Sequence, residues 1–264
     1  MTPRRLLKSI VSRLSRSAHR IEFAPRGWAT ALPAGAKSED YWTHFIARER
    51  SACETLMARV RAGEPILTLD EDERIKRTAF GEVLTIVARD HPRVTVLDVG
   101  GNLGDYYWIG RALVPGVALD FHCKELPAIA DAGRQINPAV TFHTDDQCLD
   151  RPYDLIMFSS SLQCLPDWQS VLVRAARAAR EYLFLSDVPV VQTAPSYVVL
   201  QDSGGVANLQ NQLNQSEVVL AVERAGLRVV REFDMGPHPA VANAPEQATC
   251  RGWLFRRDPA EGSS

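Results

Sequence analysis

From Val94 onward, short apolar runs alternate with amphipathic stretches. The runs 94–99, 118–124, 140–143, 154–159, 181–187, 227–233 and 250–257 have the length and composition of strands. Between them, 105–113, 126–135, 168–180 and 216–225 carry apolar side chains at helical spacing. Strand and helix in repeated alternation predict an α/β fold with a parallel sheet between helices. Asp167 is placed to cap the 168–180 helix, and Ser216 and Gly226 to open and close the one at 216–225. Upstream, 41–62 and 71–90 read as two more helices, the first ending near Gly63 and Pro65, the second before His91-Pro92. They predict a helical cap over 41–92, ahead of a sheet domain at 93–258 and behind a basic segment and linker at 1–40. Residues 190–215 are polar, with Gly204, Gly205 and several Asn and Gln, and read as a lid or binding loop.

Composition narrows the class. The chain has 264 residues, 45% of them hydrophobic, and balances 30 basic against 32 acidic side chains. That supports one full domain plus an accessory segment, and gives no electrostatic footprint for nucleic acid. The charge is uneven, however. Arg4, Arg5, Lys8, Arg13, Arg16 and Arg20 fall in the first twenty residues with no acid among them. Leu7, Ile10, Val11 and Leu14 share one helical face there, so residues 4–17 fit peripheral contact with an anionic membrane. No apolar run reaches the ~20 residues of a membrane span. Lys8 and Arg13 break the apolar stretch that a secretion signal needs. The five cysteines follow no metal or disulfide spacing, which fits reduced thiols in a cytoplasm and no metal site.

The densest chemistry lies in Val94-Thr-Val-Leu-Asp-Val-Gly-Gly-Asn-Leu-Gly104. A buried strand carries Asp98 one step before its end, then breaks into Gly100, Gly101 and Gly104. Such a turn lets backbone N–H groups approach a ligand closely. It lacks the Gly-Lys-Ser/Thr of a phosphate loop. Counted from Gly100, a dinucleotide fingerprint fails at Asn102 and Asp105. Asp98 favours a ligand with an ammonium group, which points to S-adenosylmethionine (SAM). The pattern Asp-x-Gly-x-Gly-x-Gly fits Asp98, Gly100 and Gly104, with Asn102 at the middle glycine. Asn tolerates positive φ, so the turn survives there.

In an open α/β sheet the ligand lies outside the carboxyl ends of the strands. Glu125 follows the second strand, and its two oxygens suit the ribose hydroxyls; Asp120 competes but lies within the strand. Thr144, Asp145 and Asp146 follow the third, with Asp145 a candidate acceptor from the adenine amino group or else part of a solvated turn. Ser160 and Gln163 follow the fourth and would line the cofactor or substrate. Asp187, after the fifth, is a candidate base or substrate anchor, or an Asx-turn residue before Pro189. His122, His143 and His238 have no partner at a readable spacing. An Asn/Asp-Pro-Pro-Tyr motif is absent, which argues against methylation of adenine, cytosine or glutamine nitrogens.

Over about Ile21 to Arg257 the chain resembles a family of bacterial class I SAM-dependent methyltransferases often associated with surface-polysaccharide loci. The residues that carry this are Ile21-Glu22-Phe23 with Trp28, Leu97 to Gly104, Tyr107-Trp108, Glu125-Leu126-Pro127, Phe158 to Gln163, and Trp253-Leu254-Phe255. Ser186-Asp187-Val188-Pro189 departs from the family, which tends to have an arginine after the aspartate. The resemblance implies a seven-stranded Rossmann-like sheet whose last two strands form an antiparallel edge hairpin. It also implies a SAM site. By analogy, the reaction is O-methylation of a sugar, glycan or small-molecule hydroxyl. Two alternatives are a methyltransferase fold that has lost catalysis and serves as a scaffold, and an NAD(P)- or nucleotide-sugar-dependent enzyme on a related sheet.

Overall fold

The computed structural model describes residues 19–33, 39–66, 71–89, 91–203 and 207–258. Elements are numbered in chain order: β1 (His19–Phe23), α1 (Glu39–Arg61), α2 (Glu71–Val87), β2 (Arg93–Val99), α3 (Asp105–Leu113), β3 (Ala118–Lys124), α4 (Pro127–Ile136), β4 (Val140–His143), β5 (Tyr153–Ser159), α5 (Trp168–Ala178), β6 (Ala179–Val191), β7 (Tyr197–Ser203), β8 (Ala207–Asn214), α6 (Gln215–Glu223), β9 (Leu227–Pro237) and β10 (Thr249–Arg257). The candidate amphipathic segment 4–17 lies outside the described residues. No helix among the described residues is long and apolar enough to cross a membrane.

The main sheet runs β4-β3-β2-β5-β6-β10-β9. β10 alone runs antiparallel to its neighbours, β6 and β9, and so forms the expected edge hairpin. The chain therefore has the predicted α/β class. Side-chain alternation explains the layers. In β5, Leu155 and Met157 face α2 and α3, while Ile156 and Phe158 face α5 and α6. The first layer buries Phe80, Val83 and Leu84 of α2; the second buries Trp168 and Leu172 of α5. Full burial of each such side chain contributes roughly 1.5–3 kcal/mol before entropy is counted. Helix α1 rests on α3 and α4 through Cys53 and Met57, packed with Leu103, Ile129 and Ile136.

Three expectations need correction. Residues 190–215 are not a lid loop. They hold the end of β6, then β7 and β8, which pair with β1 as a three-stranded antiparallel ribbon. β8 joins the main sheet through Val190↔Leu213 and Val191↔Asn214, so the sheet has ten strands among the described residues rather than seven. Asn214, not Ser216, caps α6, its side chain accepting from the Glu217 N–H at 3.2 Å. Asp167 does cap α5, and Gly226 closes the end of α6 with φ +86°.

Candidate cofactor and acceptor site

The turn after β2 is built by close approach. Gly100 and Gly104 have φ of +76° and +77°, and Asn102 takes φ +55°, the left-handed conformation expected of it. A Cβ on Gly101 would stand 2.4 Å from Asp98 Oδ2, and one on Gly100 2.5 Å from Ser161 Cβ. The glycines thus let the Asp98 carboxylate fold up beneath the turn and Ser161 close over it, its hydroxyl donating to the Val99 carbonyl. Asn102 is held from two sides. Its N–H donates to Glu125 Oε1 at 3.1 Å, and its Nδ2 to Glu49 Oε2 of α1 at 2.7 Å. The other Glu125 oxygen accepts from the Leu126 N–H at 2.7 Å.

Electrostatically the cluster is one-sided. Asp98 is fully buried, and neither carboxylate oxygen has a partner; Asn102 Oδ1 and Asp105 Oδ1 are buried and unpartnered too. Burial, then the nearby carboxylates of Glu125 and Asp105, push the Asp98 carboxyl well above its ordinary range. Burial likewise raises Asp105 and Glu125, against hydrogen bonds that pull the other way. Unmet buried acceptors are rare and costly, and a group of them without a matching donor marks a place for a cation that carries N–H groups.

A second cluster lies where β5 ends and, beside it, within β6, which runs on past the expected strand end at 187 to Val191. Ser160 and Asp187 both have left-handed backbones, at φ +55° and +56°. Such conformations cost of order 1–3 kcal/mol and gather at functional sites. They bring Ser160 Oγ to donate to Asp187 Oδ2 at 2.5 Å, with Lys76 Nζ of α2 at 3.9 Å. Gln163 Nε2 donates to the Asp187 carbonyl at 3.3 Å. His238 is within electrostatic reach of Asp187. Its Nδ1 lies 2.8 Å from the Pro239 carbonyl, which only accepts. Nδ1 therefore carries the proton, leaving Nε2 as an acceptor. Burial lowers the His238 pKa and favours the neutral ring. Ser160, Gln163, Asp187, Lys76 and His238 line a cleft of about 280 Å³, roofed by residues of β1, β7 and β8.

The predicted residues thus fall into two groups. Asp98, Gly100, Gly101, Asn102, Gly104 and Glu125 meet at the turn. Ser160 and Gln163 stand with Asp187 in the cleft, and it is Ser161 that faces the glycines. Asp145 lies apart, its Oδ1 accepting from the Gln147 N–H at 2.9 Å as a cap. Asp120 pairs with Arg93 and His122. Among the described residues, no group of three or more His, Cys, Asp or Glu side chains could hold a metal. Glu49 and Lys76 were not singled out by the sequence, and His238 was named there only as a histidine without a readable partner, because α1, α2 and the segment after β9 reach the site only through the fold.

No protein-family model and no curated protein matches the chain. Solved structures with a similar chain path include the magnesium protoporphyrin IX methyltransferase of Synechocystis PCC 6803 with bound SAM. It is 15% identical, the match covers 84% of this chain and 99% of that one, and the TM-score is 0.49. The mitomycin 7-O-methyltransferase MmcR is 20% identical over 70% of this chain and 55% of its own, at TM-score 0.44. CalS10, an amino pentose methyltransferase from Micromonospora echinaspora, is 14% identical over 69% and 91%, at TM-score 0.47. These likenesses are distant, and the chain's own strand order is what defines its fold.

Proposed function

We propose that the protein is a SAM-dependent methyltransferase acting on a hydroxyl of a sugar, glycan or other small polar molecule. The observation that carries this reading is the unpartnered Asp98 carboxylate, buried beneath a glycine turn with Glu125 beside it. Asp98 and Asn102 Oδ1 would hold the ammonium of the methionine end, and the turn's backbone its carboxylate. Glu125 keeps lone pairs free beyond its two backbone bonds and would accept from the ribose hydroxyls. When bound, SAM supplies a methyl group on a positively charged sulfur that an oxygen can attack.

The cleft supplies the rest. Asp187 accepts from Ser160, and its remaining lone pairs orient the acceptor's hydroxyl. His238 Nε2, unprotonated near neutral pH, takes that hydroxyl's proton, and the Asp187 carboxylate stabilises the imidazolium that results. A general base of this kind contributes ~10²–10⁴-fold, and positioning of the reactants can contribute more. The resemblance to methyltransferases of surface-polysaccharide loci supports a glycan acceptor. The basic segment 4–17 supports a cytoplasmic protein that touches the membrane's inner face.

Calorimetric titration with SAM and S-adenosylhomocysteine (SAH) tests the cofactor. One-to-one binding is expected, weakened at least tenfold in Glu125→Ala. No binding of either by the folded wild-type protein, or equal binding by the variant, contradicts the assignment.

A further inference from the structure

The roof of the cleft is the ribbon β1-β7-β8, and one of its faces is unusual. Residues opposite each other in an antiparallel pair share a face. The register places Gln201 opposite Ile21 and Asn208, Gln210 opposite Val199, and Gln212 opposite Tyr197. One face of β8 therefore presents Asn208, Gln210 and Gln212 in succession, with Gln201 alongside on β7. Gln201 and Gln210 line the cleft, as does Gln163 from the opposite wall.

Three of these amides keep buried polar atoms without a partner. Gln163 is 6% exposed, and its Oε1 has no partner although its Nε2 is used. Gln212 is fully buried with both amide atoms unpartnered, and Asn208 Oδ1 is unpartnered as well. By contrast Asn211, on the other face of β8, is fully engaged. It donates to the Gln163 and Leu165 carbonyls at 3.2 and 2.8 Å and accepts from Trp28 Nε1 at 3.1 Å. Asn211 thus pins β8 against the turn that carries Gln163 and fixes the distance across the cleft.

The lining also tells what the cleft does not suit. Among the described residues Lys76 is the one lysine or arginine of the lining, with Asp72 and Asp187 as its acids, and Glu73 at 2.7 Å and Asp187 at 3.9 Å already face its ammonium. That leaves little for a phosphate or carboxylate. Among the described residues the lining holds no Phe, Tyr or Trp on which a flat aromatic acceptor could stack. A carboxamide offers both donors and acceptors, as does a hydroxyl, so paired amides satisfy several hydroxyls at once.

We propose that Gln163, Gln201 and Gln210 form the recognition surface for the methyl acceptor and select an uncharged, polyhydroxylated ring. This rests on the methyl-transfer reading for its chemistry, but the recognition itself is separable. Saturation-transfer NMR on the SAH-supplemented protein would use four probes: methyl α-D-mannopyranoside, methyl α-L-rhamnopyranoside, catechol and glucose 6-phosphate. The two glycosides are expected to receive saturation and the other two little. The double variant Q201L/Q210L, half-buried at both sites, should lose the glycoside signal at least fivefold. If it unfolds early, Gln201→Leu alone should lose at least twofold. SAH affinity should be the same in all of them. Glycoside signals no stronger than those of catechol or glucose 6-phosphate, or undiminished in a folded variant, would overturn the proposal. Glycoside binding by a protein that ignores SAH would leave it standing and sink the methyl-transfer reading instead.

Discussion

Asp98 is fully buried, and neither of its side-chain oxygens has a partner. A residue kept under such conditions has its function in another state, the one with a cation against it. The two demands can be pulled apart by Asp98→Asn, which keeps the shape and removes the ionisable group. This variant should bind SAH at least tenfold more weakly, or about 1.4 kcal/mol, yet melt no earlier than wild type at pH 8. A variant that melts much earlier while binding SAH normally would make Asp98 structural. At this scale the sequence was informative. The Asp98 to Gly104 spacing and the left-handed Asn102 rest on local rules, whereas Glu125, read from the sequence as a ribose acceptor, holds the turn through a contact 23 residues away in the chain. Glu49 was not legible, because its contact with Asn102 joins residues 53 apart in the chain. His238 was named but left without a role, since its tautomer depends on the Pro239 carbonyl and its setting on Asp187.

At the scale of elements, the strands and helices from β2 to α5 lie within a few residues of their expected bounds. Their apolar patterns are set by burial on one or both faces. The failure was the ribbon. Tyr197-Val-Val-Leu200 has strand composition, and β8 alternates Leu209 and Leu213 with Asn208, Gln210 and Gln212. Its polar face, and the buried Asn211 between the two leucines, made the segment look like a loop. The shifted cap has a similar lesson: Asn214 and Glu217 have the three-residue spacing of a capping box, two residues earlier than Ser216. Asn211 makes three hydrogen bonds at 5% exposure, linking β8, the Gln163 turn and Trp28. Asn211→Ala should cost about 2–4 kcal/mol in a denaturant titration, since it leaves buried groups unpaired. A loss below about 0.5 kcal/mol, the size expected of a neutral surface change, would mean the ribbon is held by its apolar contacts alone.

For the whole molecule, strand order is what turns two separate clusters into one site. β2, β5 and β6 are neighbours, so the Asp98 turn and the Ser160–Asp187 cleft open at the same carboxyl edge. Helices α1 and α2 bring Glu49 and Lys76 to that edge, and the ribbon covers it from the far side. The result is an acidic seat beside an amide-rich cleft that also carries Asp72, Asp187 and Lys76, suited to a cationic donor and a polyhydroxylated acceptor. The central claim has a pH signature. In the free protein burial raises the Asp98 pKa, so the carboxyl stays protonated above the usual carboxylate range. An ammonium against it favours the ionised form, so binding expels a proton and affinity climbs with pH until free Asp98 itself ionises. The most direct measurement is SAH titration across the range pH 4 to 8, at each pH in two buffers of different ionisation enthalpy. We expect one-to-one binding with net proton release, and loss of that release in Asp98→Asn. Binding that is absent, or that releases no proton in wild type, would contradict the account.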